Sequence, residues 1–176
     1  MKLQHKILAS VGFTLLFAAA SFAQHVKTDY SRGADFSQYK TYSWEKVQTK
    51  DALWVDRIKE AVDSQLAAKG WRRVESGGQA SLIGIEMTRN QQSVNTFYDG
   101  FGGGRRWGGG FGNATSTVDT YQVGTLVLDI FDTNSHKLIW RGSSSDTMSD
   151  KSENNIKNLD KDVQKMFEHF PPDEKK

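Results

Sequence analysis

Two long runs of strand-forming residues, 81–98 and 115–132, mirror each other around a glycine-rich segment, and this arrangement constrains the fold more than any other feature. In the first run the alternate positions Ile83, Ile85 and Met87 are apolar and give way to Arg89, Gln91 and Ser93. In the second, Ser116, Thr120 and Gln122 come first and Leu126, Leu128 and Ile130 follow. A period of two is the mark of a strand with one buried face. Paired antiparallel, the apolar halves coincide at one end and the polar halves at the other. The sequence therefore predicts a hairpin whose inner half joins a core and whose outer half projects as a polar arm, roughly 20–25 Å long at ~3.4 Å per residue.

The remaining chain supplies what such a hairpin needs to bury its apolar end. Val26, Thr28 and Tyr30 read as a short strand, and a second follows at residues 40–44. Between Asp51 and Lys69 the apolar residues Val55, Ile58, Val62 and Leu66 recur at steps of three and four, which predicts an amphipathic helix with Asp51 as N-cap and Gly70 as a left-handed stop. Residues 71–74 and 137–143 add strands. A last helix carries the stripe Ile156, Leu159, Val163, Met166, Phe167 and Phe170, opened by the capping-box spacing of Asp150 and Glu153 and stopped by Pro171 and Pro172. The expected fold class is α+β: a two-layer sandwich of a mostly antiparallel, mixed sheet of about five strands, two helices on one face, and a protruding glycine-rich hairpin.

The tip of that hairpin, residues 99–113, holds eight of the sixteen glycines, interspersed with Phe101, Arg105, Arg106, Trp107 and Phe111. So much glycine makes ordering the backbone costly and argues against a place in the core. The aromatics and the arginine pair are the candidate contact residues, for a partner protein or for a membrane or glycan surface. A tolerated flexible tip is the plainer reading. Phosphate cradling does not fit, because such a loop joins a strand to a helix N-terminus, whereas strand material flanks this one on both sides.

Residues 1–23 have the form of a secretory signal peptide: Lys2 and Lys6, an apolar stretch from Ile7 to Phe22, and small residues at Ser21 and Ala23 before the expected cut. About 16 apolar residues, interrupted by Ser10, Gly12 and Thr14, fall short of the ~20 that span a bilayer. The expected product is one exported domain, 24–172, with a charged tail at 173–176, located in the periplasm, on the outer membrane face or in the medium. Lys+Arg falls from 23 to 21 when Lys2 and Lys6 leave, against 21 Asp+Glu, so the mature chain is formally neutral and offers no broad electrostatic reason to bind nucleic acid. With no Cys, it has neither disulfides nor thiolate chemistry, nor a cysteine to carry lipid.

No catalytic pattern emerges. His25, His136 and His169 lack partners at zinc-ligand spacing. Asp129 and Asp132 fall on opposite parities of one strand, and nothing singles out Asp119, Asp146 or Asp150 as an acid/base pair. Neither an enzyme activity nor a metal or cofactor is expected.

The chain resembles a bacterial family of exported, often lipid-anchored domains known as domain of unknown function four-one-three-six. The residues that carry the resemblance are Asp29 and Tyr30, the run 33–44 (GADFSQYKTYSW), residues 66–71 (LAAKGW), the glycine and aromatic segment, residues 124–129 (GTLVLD), residues 138–142 (LIWRG), and the closing Phe170, Pro171 and Pro172. The resemblance implies an envelope protein of the periplasm or outer membrane face, with no activity or site residues attached. The leading expectation is thus a non-catalytic envelope module that binds another envelope component through its hairpin loop. Association with a membrane surface or cell-wall polymer is the alternative, and a hydrolase with an unrecognised site the third.

Overall fold

A computed structural model of the chain describes residues 25–98 and 114–172. The element order is β1 (His25–Tyr30), a 3-10 turn (Phe36–Gln38), β2 (Thr41–Gln48), α1 (Ala52–Ala68), β3 (Arg72–Arg73), β4 (Ala80–Tyr98), β5 (Ala114–Asp132), β6 (Leu138–Thr147) and α2 (Ser152–Met166). The strands form one sheet in the order β1-β6-β5-β4-β2-β3. Its pairs are antiparallel except β2–β3 and β2–β4, which run parallel because α1 carries the chain back between them. The architecture is the expected α+β. The sheet has six strands where about five are expected, β3 adding only two residues at the edge.

Both helices cover one face. Ile58, Val62 and Leu66 of α1 and Leu159, Val163 and Met166 of α2 pack on Tyr42, Leu82, Leu126, Leu128, Ile130 and Trp140. Asp51 caps α1 as expected, its Oδ1 accepting from Leu53 N at 2.9 Å, and Gly70 takes a φ of 81°. The start of α2 differs from expectation. Asp150 and Glu153 form no capping box: Lys151 holds the cap position without a side-chain bond. Instead, Asn155 reaches back to the loop, accepting from Ser149 N at 2.7 Å and donating to Ser149 O at 2.8 Å. An amide satisfies donor and acceptor together, which a carboxylate cannot do.

Several of the segments that carry the family resemblance, 33–44, 66–71, 138–142 and the closing Phe170, meet in one aromatic cluster. Asp35 Oδ1 accepts from Ser37 N and fixes the 3-10 turn, which drives Phe36 against Phe170 at 5.7 Å between ring centres. Trp71 meets Phe170 at 5.3 Å and Tyr39 at 5.7 Å. Trp140 stacks on Phe167 at 5.0 Å. These rings join both chain ends of the domain to the sheet, so the motif residues build packing rather than a site.

One strand face differs from the expectation. Direct partners share a face, and the pairs Leu82–Ile130, Gly84–Leu128 and Glu86–Leu126 lie beneath the helices. Ile83, Ile85 and Met87 instead occupy the opposite face, beside Asp129, Val127 and Thr125. The two apolar halves do coincide at one end of the hairpin, but they point to opposite sides of the sheet.

Candidate functional site

The hairpin outruns the strands that flank it. β2 ends with Gln48 opposite Ile85, and β6 with Thr147 opposite Val123. Farther out, among the described residues, β4 and β5 pair only with each other, for nine positions from Asn90–Gln122 to Tyr98–Ala114. At ~3.4 Å per residue this arm is roughly 30 Å long. Its register has no bulge. Tyr121 Oη donates to Gln91 Oε1 at 3.1 Å, and Asn95 Nδ2 to Asp119 Oδ2 at 3.2 Å. Val94 and Val118 stand directly opposite each other, 63% and 55% exposed.

The candidate contact residues Phe101, Arg105, Arg106, Trp107 and Phe111 lie outside the described residues, as do residues 1–23, expected to be a signal peptide. What the structure gives is their point of attachment: the intervening chain leaves from Tyr98 and returns at Ala114, the paired end of the arm.

The backbone of the arm has a definite polarity. Met148 N donates to Gln122 O at 2.8 Å, so Gln122 directs its backbone groups away from β4. In an antiparallel ladder this alternates residue by residue. Even-numbered residues of both arm strands, Gln92 and Val94 on β4 and Val118 and Thr120 on β5, therefore aim N–H and C=O outward. Odd-numbered residues such as Ser93 and Asp119 bond across the ribbon.

Elsewhere the polar groups are engaged in holding the fold. Asp63 on α1 accepts at Oδ1 from Tyr42 Oη (2.7 Å) and Trp44 Nε1 (2.8 Å), and at Oδ2 from Arg73 (2.9 Å). Burial, then the neighbouring Asp63, pushes the Tyr42 phenol well above its ordinary range. Tyr39 Oη donates to Asp132 Oδ2 at 2.9 Å. Burial first and that bond second push Tyr39 up to about 12. Asp132 is held below its ordinary value, mainly by its bonds from Ser135 and then by Tyr39. On the helix-free face Asp129, nearly buried, takes a two-pronged contact from Arg141, Nε–Oδ1 and Nη2–Oδ2 both at 2.6 Å. This is a charge pair in the geometry that guanidinium and carboxylate favour.

The structure does not bring the acidic candidates together. Asp129 faces the open side of the sheet, Asp132 bonds the Tyr39 hydroxyl, Asp119 sits on the arm and Asp146 accepts from Thr147 N. His25, His136 and His169 are exposed on separate elements. Among the described residues no group of three or more His, Asp or Glu is placed to hold a metal ion, and no helix is long and apolar enough to cross a membrane. A hollow at the root of the arm, between Trp54, Glu86, Leu126, Ser144, Met148 and Asp162, has a volume of about 50 Å³. That is room for water rather than for a ligand, whose pockets run from about 300 Å³.

Two features escape a reading of the sequence by buried-face periodicity. Asp129 is a charge in an apolar strand, and its pairing with Arg141 depends on the β5–β6 register. Val94 and Val118 are isolated apolar residues in polar strands; their shared position at the centre of the arm is the signal that identifies them.

A family model described as Domain of unknown function (DUF4136) matches residues 26–172. No curated protein matches the chain. Among solved structures, a PDZ domain protein from Parabacteroides distasonis superposes with a TM-score of 0.58 at 12% identity, covering 84% of this chain and 35% of that one. The chain thus spans about a third of that protein's length, and the likeness is one of fold alone. The PelC dodecamer from Paraburkholderia phytofirmans gives a TM-score of 0.48 at 12% identity, covering 82% of this chain and 95% of that one. A minor lipoprotein from Acinetobacter baumannii gives 0.36 at 12% identity, covering 74% and 91%.

Proposed function

The chain belongs to the DUF4136 family, a domain of unknown function, and from that premise we propose that it is a non-catalytic, exported module that engages another component of the cell envelope through the tip of its hairpin. The observation that carries this reading is the arm itself. Nine residue pairs of ribbon set Tyr98 and Ala114, from which the segment 99–113 leaves and returns, beyond the ends of the flanking strands, and an extension that adds little buried apolar area is better accounted for by contact than by stability. Phe101, Trp107 and Phe111 offer contact area, while Arg105 and Arg106 suit anionic or carbonyl groups. The leader-like residues 1–23 support a destination outside the cytoplasm.

A photo-reactive amino acid in place of Trp107, activated in intact cells, tests the proposal. The expected result is a discrete crosslinked adduct with a second envelope protein, carried by a chain trimmed to Gln24. Crosslinks confined to lipid or wall polymer, or none at all, would overturn it.

A further inference from the structure

The arm has a second property, separate from what its tip contacts: among the described residues, nothing pairs with the β4 side of the ribbon, which is a sheet edge. Long edge strands are ordinarily blunted by charged residues, proline or a bulge, because their outward N–H and C=O groups template another strand. Residues 90–98 contain no Asp, Glu, Lys, Arg or Pro, and the register runs through them without a bulge. Among the described residues no strand lies beside them beyond Gln48. A lone two-stranded ribbon is marginally stable in water at best, so an arm of this length calls for a third strand.

We propose that this edge pairs antiparallel with the same edge of a second copy of the chain, about a two-fold axis at Val94. Three observations select that occupant. Val94 is the midpoint of the uncharged stretch 90–98, bounded in sequence by Arg89 and Asp99, and its backbone groups point outward, so a two-fold axis there pairs the two uncharged stretches residue for residue through a hydrogen-bonded pair of identical residues. The pairing lines up Val118, Val94 and their two counterparts in one row across a four-stranded sheet, covering side chains now 63% and 55% exposed. Finally, residues 90–98 are uncharged, so two copies paired over this stretch meet without repulsion; the opposite edge carries Asp119 next to Val118, and self-pairing there would bring two carboxylates into diagonal proximity. A foreign strand fits less well, since strand addition takes its specificity from pockets for alternate side chains, and the described part of the ribbon sets Val94 and Val118 among mostly polar side chains in flat rows. A two-fold interface closes on itself and ends at the dimer.

The natural absence of Cys provides the test. In a hydrogen-bonded antiparallel pair the Cα atoms lie about 5.5 Å apart, within disulfide reach. Mild oxidation of Val94→Cys is expected to convert most of the mature chain to a covalent dimer, while Val118→Cys stays largely monomeric. The unmodified mature chain should sediment at twice the monomer mass, and Val94→Pro, which deletes an outward N–H without touching the bonds between β4 and β5, should return it to monomer while its circular dichroism stays that of the folded chain. A monomeric wild type, or equal crosslinking of the two cysteine variants, would overturn the proposal. The readout is distinct from capture at Trp107, so either can fail while the other stands.

Discussion

Leu82 faces Ile130 across β4 and β5 just as Val94 faces Val118 twelve residues farther out, yet the first pair is fully buried and the second is 63% and 55% exposed. Strand pairing is continuous between the two sites. What differs is everything packed around it. Over the inner pair lie α1, α2 and the aromatic cluster, and β2 and β6 satisfy the outer edges. Over the outer pair there is only solvent among the described residues. A ladder of backbone bonds is thus nearly neutral by itself, because each bond replaces one to water, and the stability of the hairpin is concentrated where apolar area is removed from water. The arm is carried by the core and returns little to it.

Truncations on the two sides should expose that asymmetry most strongly. Trp140 is almost fully buried and stacks on Phe167 at 5.0 Å, so Trp140→Ala should cost about 3–5 kcal/mol in chemical denaturation. Val94→Ala, measured on the dilute monomer, should stay within ~0.5 kcal/mol, the range of ordinary surface changes. Comparable losses at the two sites would mean that arm and core unfold as a single unit and that the division drawn here is wrong.

The inner half of β4 also explains how far the sequence could be read. The hairpin, its direction and its polar extension follow from the alternation in the two runs, and the α1 cap and stop follow from Asp51 and Gly70. Which parity faces the helices does not. On that face β4 contributes Leu82, then Gly84 and Glu86, so its apolar pattern lapses just where the core is dense. Gly84 is compensated from outside the strand: a methyl group there would lie 3.5 Å from the Trp44 ring and 3.6 Å from Ile58. Glu86 is satisfied by the Thr49 and Thr88 hydroxyls at 2.9 and 2.8 Å. Both compensations come from tertiary neighbours, which a period of two cannot register. The opposite face, with Ile83 and Ile85, reads as the core from sequence because those positions are apolar, and the Asp129–Arg141 pair beside them is set by register rather than pattern. As for the site, the residues proposed for contact are legible only as a composition, whereas the outward polarity of Val94 required the Met148–Gln122 bond.

A smaller effect reports on the core side of the comparison through titration. Folding raises the Tyr39 phenol from its ordinary value of 10.0 up to about 12. A group whose pKa is raised by folding contributes stability that is complete below its unfolded value and is lost as pH climbs through the folded one. Unfolding free energy should therefore hold steady at neutral pH and fall between pH 10.0 and about 12. Tyr39→Phe should reduce that fall and leave the share that comes from Tyr42, whose phenol is raised as well. A fall as steep in Tyr39→Phe as in the unmodified chain would mean that burial and the Asp132 bond do not hold this phenol protonated.

The finest difference lies within the arm, between neighbouring amides. If the outer strands are held by their mutual ladder, the N–H groups of Gln91, Ser93 and Asn95 are bonded to β5 while those of Gln92 and Val94 face solvent. Hydrogen exchange on the dilute monomer should then alternate along β4, slow at odd positions and fast at even ones, with all of them faster than Leu82 or Ile83 because the arm opens without breaking the core. Raising the concentration should slow Gln92 and Val94 selectively, since two-fold pairing engages those outward groups and leaves the inward ones as they were. Uniform exchange through residues 91–95 at every concentration would mean that neither the ladder nor the second copy holds the arm. Alternation that persists without any dependence on concentration would keep the ribbon and remove its partner.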